Sequence, residues 1–86
     1  MPKKPITTQD YIELGQFYLL NQKYSEAIKQ FKSALRLQPD AKVYFQLGLA
    51  YEATNQIPQA QEVYRKALQL DPQLKEAAEH LERISK

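Results

Sequence analysis

Apolar residues recur along this chain at spacings of three and four, broken at intervals by short polar stretches, so the pattern predicts helices and no strands. Tyr11, Leu14, Gly15 and Tyr18 share one face of a first helix. Thr7-Thr8-Gln9-Asp10 reads as a capping box with Asp10 in place of the usual Glu or Gln, which starts that helix at Thr7 or Thr8. Asn21-Gln22-Lys23 interrupts the pattern. Tyr24, Ala27, Ile28, Phe31, Ala34 and Leu35 then line a second helix, which ends at Pro39-Asp40. Tyr44, Leu47, Gly48 and Tyr51 line a third. Asn55-Gln56 makes the next turn, where Asn tolerates the left-handed backbone that helix ends often need. Pro58 suits the first turn of a fourth helix, whose buried face is Ile57, Ala60, Tyr64, Ala67 and Leu68. Asp71-Pro72 reads as the N-cap and first turn of a fifth. Leu74, Ala77, Ala78, Leu81 and Ile84 form its apolar face, and Lys75, Glu76, Glu79, Glu82, Arg83 and Lys86 cover the rest.

The pattern repeats itself. Tyr11, Leu14, Gly15, Tyr18, Ala27, Phe31, Ala34 and Pro39 return 33 positions later as Tyr44, Leu47, Gly48, Tyr51, Ala60, Tyr64, Ala67 and Pro72. Only Phe31 changes, to Tyr64. A period of this length signals stacked helical hairpins. Gly15 and Gly48 each lie inside a helix, at a cost of about 1 kcal/mol relative to Ala. Close approach of the paired helix explains them, with Ala27 and Ala60 as the expected small facing residues. The four tyrosines at 11, 18, 44 and 51 are expected as core wedges with hydroxyls at the rim.

These anchors resemble the tetratricopeptide repeat: Tyr11-x2-Leu14-Gly15-x2-Tyr18, Ala27-x3-Phe31, Ala34 and Pro39, and the same set from Tyr44 to Pro72. The family's first aromatic is usually Trp and is Tyr in both copies here. The family period is about 34 residues, one more than here, and the shortening falls between Pro39 and Tyr44. Gln22 stands where the family often has Gly. The resemblance implies an all-α fold, a short right-handed α-solenoid of five helices. Residues 1–7 are expected as a disordered tail and residues 8–86 as a single domain. Its parts are a first repeat (8–40), a second repeat (41–74) and a capping helix (75–86).

The resemblance also implies a role in binding protein or peptide partners, with the first helix of each repeat lining a concave groove. Carried over by position, the groove holds Gln9, Ile12, Gln16 and Leu19, then Lys42, Phe45, Gln46, Leu49 and Glu52, then Glu76, Glu79 and Arg83. Its centre is apolar and its rim polar, a mix suited to a peptide or helix with an apolar anchor. Some relatives clamp a C-terminal carboxylate there. Ile12, Gln16, Phe45 and Leu49 argue against such a clamp here. A different class of function is self-association, as a homodimer, through the N-terminal edge. Phe17 occupies the position of Ala50, which is expected to face the preceding hairpin, so Phe17 is expected at an open edge unless Ile6 or Pro5 folds over it. The discriminator is exposure: Ile12, Phe45 and Leu49 open together favour the groove, and a larger patch at Phe17 favours the edge.

Composition narrows the rest. Twelve Lys and Arg face ten Asp and Glu, for a net charge of +2, with the signs interleaved. That is no nucleic-acid footprint. Lys29, Lys32 and Arg36 form a short basic stripe without exposed aromatics between them, read as a solvated helix face. No apolar run is long enough to cross a membrane, and Met1-Pro2-Lys3-Lys4-Pro5 leads into no signal-like segment. The chain has no Cys, which fits a reducing cytosol, so the expected location is cytoplasmic. Catalysis finds little support. His80 is the only histidine, and it shares a helix face with Glu76, too few ligands for a metal. It is read as a surface or rim residue. Ser25, Ser33 and Ser85 have no evident base, and two glycines make no phosphate loop. No enzyme, metal or cofactor is expected.

Overall fold

The computed structural model describes residues 6–86. It contains α1 (Thr8–Leu20), α2 (Tyr24–Leu37), α3 (Ala41–Ala53), α4 (Ile57–Leu70) and α5 (Lys75–Ile84). Consecutive helices pack on one another, so two hairpins and a final helix form an all-α row with extents of 53 × 25 × 17 Å. Residues 1–5 of the expected tail lie outside the described residues. Thr7 caps α1, as the capping-box reading expects, and so belongs to the helix start and not to the tail. Its N–H donates to Asp10 Oδ2 at 3.0 Å, and the Asp10 N–H donates to Thr7 Oγ1 at 3.1 Å. The shorter acid thus closes the capping box.

Both hairpin turns close alike. Lys23 N–H donates to Tyr18 O, and Gln56 N–H donates to Tyr51 O, each at 2.8 Å. This closure needs a left-handed residue just past the helix. Gln22 (φ 62°) and Asn55 (φ 59°) supply it. Asp40 starts α3, its Oδ1 accepting from Lys42 N–H at 2.8 Å and Val43 N–H at 3.2 Å. Asp71 does not cap α5 as expected. Its Oδ1 accepts from Gln73 N–H at 3.0 Å and its carbonyl from Leu74 N–H at 3.1 Å, which spends the residue on a turn. The fifth helix therefore begins only at Lys75.

The core runs through all the hairpins, with Phe31 and Tyr64 as its largest fully enclosed side chains. The glycines face these rings and not Ala27 or Ala60. A Cβ on Gly15 would lie 2.5 Å from Phe31 Cε1, and one on Gly48 would lie 2.7 Å from Tyr64 Cδ1. Two expected core positions are open. Ala78 is exposed on α5, and Leu14 is 41% exposed whereas its counterpart Leu47 is 2% exposed. The difference is packing: α2 lies against α3, and no described helix lies in the equivalent place against α1.

Candidate functional site

The odd-numbered helices carry the expected groove residues. Gln16 Nε2 donates to Gln46 Oε1 at 3.4 Å and joins α1 to α3. Arg83 Nη2 donates to Glu52 Oε2 at 2.8 Å and joins α3 to α5. Ile12, Gln16, Leu19, Phe45, Gln46, Leu49 and Glu52 are half-buried, and Gln9, Lys42, Glu76, Glu79 and Arg83 are exposed. Ile12, Leu19 and Phe45 rest on the core, so the apolar centre is a shallow, partly covered strip. Gln9 is turned along its own helix, its Nε2 donating to Glu13 Oε2 at 3.1 Å.

At the C-terminal end of this row the side chains converge. Tyr64 Oη donates to Glu52 Oε1 at 2.6 Å. His80 Nδ1 lies 2.9 Å from the same oxygen and, with its proton on that nitrogen, donates to it. The rings of Phe45 and His80 meet edge to face with centroids 5.3 Å apart. Burial opposes ionisation of Glu52, but hydrogen bonds from Tyr64, His80 and Arg83 outweigh it and hold the carboxyl below its ordinary value. Tyr64 is pushed upward, first by burial and then by its bond to the Glu52 carboxylate. The result is an α3 carboxylate held by one donor from α4 and two from α5, which ties the last helix to the second hairpin.

Two members of this cluster were not foreseen. His80 is a half-buried partner of Glu52, and not a rim residue beside Glu76. Tyr64 was expected on the buried face of α4 and as the one exchange among the eight anchors, but not as a partner of Glu52, and its hydroxyl is what that exchange adds.

The outer edge of α1 is different in kind. Ile6, Leu14, Phe17 and Leu20 are 57%, 41%, 58% and 84% exposed. Ile6 borders a hollow with Asp10, Glu13 and Leu14, and Phe17 stays open. Ala50, the counterpart of Phe17, is fully buried, as expected of a residue facing the preceding hairpin.

Among the described residues no three His, Cys, Asp or Glu side chains cluster as metal ligands would, and no helix is long and apolar enough to cross a membrane. No curated protein matches the chain. A model described as tetratricopeptide repeat matches residues 41–74, and a second, described as TPR repeat, matches residues 15–55. Such repeats are generally protein–protein interaction modules. With the hairpins, the glycine–ring contacts and these two matches in agreement, the chain belongs to the tetratricopeptide repeat family.

Proposed function

We propose that this chain is a docking module whose main apolar contact surface is the outer edge of α1, met by the same edge of a second copy. One observation carries the reading. Leu14 and Phe17 are 41% and 58% exposed, whereas Leu47 and Ala50, one repeat later, are 2% and 0% exposed beneath α2. An apolar helix face of this kind gains by being covered. The charged residues of α1 are Asp10 and Glu13, and Lys23 follows its C-terminal turn. Antiparallel pairing about a two-fold axis brings the acids of one copy toward Lys23 of the other. Sedimentation equilibrium from micromolar to millimolar concentration tests this. The expected result is a dimer that Phe17→Glu weakens at least tenfold. A monomer at every concentration would exclude self-pairing.

A second reading is that the concave row holds a peptide or helix. Ile12, Phe45 and Leu49, half-buried and flanked by exposed Gln9, Lys42, Glu79 and Arg83, support it. It ranks second because its apolar residues are the more covered. Arg83 is already bound to Glu52, which adds to the case against a carboxylate clamp. A peptide-library screen tests it, with Leu49→Lys expected to abolish the hits.

A further inference from the structure

A separate hollow lies between α2 and α4. Its volume is about 570 Å³, within the usual range for ligand sites. Tyr44, Leu47 and Tyr51 of α3 contribute to its lining, with Leu35 of α2 and Val63 of α4 adding apolar surface. Lys32 and Arg36 of α2 and Lys66 of α4 supply its positive charge. Its one acid, Glu62, is engaged: Lys66 Nζ lies 3.4 Å from Glu62 Oε1. Lys66 Nζ also lies 5.9 Å from the Tyr44 ring centroid, a cation placed over an aromatic face. Among the described residues Lys32 and Arg36 have no carboxylate partner, and Arg36 donates only to Ser33 Oγ at 3.2 Å. The α2 stripe read from sequence as solvated thus borders a hollow with apolar walls, and a third cation faces it from the other hairpin.

We propose that this hollow binds an acidic protein segment bearing an apolar side chain. The side chain enters between Leu35 and Val63, and the segment's carboxylates pair with Lys32 and Arg36. The charges decide the class of partner. Two unpaired cations suit two or three carboxylates. A phosphodiester strand, with a charge on every residue, calls for a longer basic track that Glu62 does not interrupt. The apolar walls add the contact that a purely ionic site lacks. This site is independent of the α1 edge and of the concave row.

The test is a titration of the amide nitrogen–proton spectrum of the whole chain with a synthetic peptide repeating Glu-Glu-Leu-Phe. Its Gln-Gln-Leu-Phe counterpart, a single-stranded oligonucleotide and phosphatidylserine vesicles serve as competing probes. The expected result is saturable binding with shifts in α2 and α4, at least tenfold weaker for the glutamine peptide. The double substitution Lys32→Glu, Arg36→Glu is expected to weaken binding at least tenfold. Arg65→Glu, exposed on α4 outside the hollow, is expected to change it less than twofold. Circular dichroism of each variant confirms that these surface changes leave the helices intact. The proposal is overturned by no binding, by shifts that leave α2 and α4 unmoved, or by equal affinity for the glutamine peptide. It is equally overturned if Arg65→Glu weakens binding as much as the double substitution. Tighter binding of the oligonucleotide or the vesicles would reassign the hollow to a different class of partner.

Discussion

Gly15 and Gly48 meet aromatic rings at distances that leave no room for a methyl group. Alanine at either place gains about 1 kcal/mol of helix propensity but forces the ring to move, and overpacking of this kind costs roughly 1–3 kcal/mol. Gly48→Ala is expected to cost more than Gly15→Ala, because the Tyr64 ring is anchored through its hydroxyl to Glu52 and the Phe31 ring has no such tether. Urea unfolding of the two variants checks the order, and equal losses would show that the tether does not restrain the ring. At Gln22 the sign reverses. A left-handed backbone suits glycine better than glutamine, so Gln22→Gly is expected to raise stability by about 0.5–1 kcal/mol in the same assay. Asn55→Gly is expected to change less, since Asn tolerates that region. The close approach at the glycines was legible in their placement inside helices. The partners were not, because helical spacing shows which face meets the neighbour but not which side chain reaches farthest. Phe31 and Tyr64 stand one turn beyond Ala27 and Ala60 and cover the gap themselves.

Between elements, the junction of α3, α4 and α5 depends on an ionised Glu52. Its folded-state carboxyl sits below the ordinary value of 4.5, so its contribution is present above that pH and is lost as pH falls through the folded value. Stability is therefore expected to decline on the acid side, beginning near pH 4.5, and Glu52→Gln is expected to flatten that decline while lowering stability near neutrality. Thermal melts from pH 3 to 7 give the answer, and an unchanged acid slope in the variant would assign the effect to other carboxylates. Sequence reasoning reached Glu52 and Arg83 as members of one face, because both lie on helices that line it. It missed His80 as their partner because it searched along the same helix, toward Glu76. The contact instead spans 28 positions and needs α5 laid beside α3. The start of α5 was misread for a related reason. Asp71 serves as a cap or as a turn residue with similar ease, and Pro72 is compatible with either.

At the scale of the molecule, the architecture was legible because two copies of the same anchors reported it independently. What the repeat did not distinguish was position within the row. Leu14 and Leu47 are the same letter in the same register, yet one is open and one enclosed, since burial depends on the neighbouring hairpin and not on the residue's own. The last helix carries more weight than its length implies. Deleting residues 75–86 removes the helix packed on α4 and the two α5 donors from Glu52, and the expected outcome is a chain that exposes Leu68 and its neighbours and aggregates or melts without cooperativity. A cooperative melt at an unchanged temperature would show that two hairpins suffice. The exchange of Phe31 for Tyr64 acts on the same scale. The second hairpin is gripped on both sides and tied by a hydroxyl, while the first is packed on one side and holds no equivalent tie. Local opening in such a row starts where the fewest contacts must break. Of the two hairpins, the first is then expected to exchange its amides with solvent sooner than the second, so that packing on both sides and one hydroxyl lend two repeats with the same anchors an order in which to come apart.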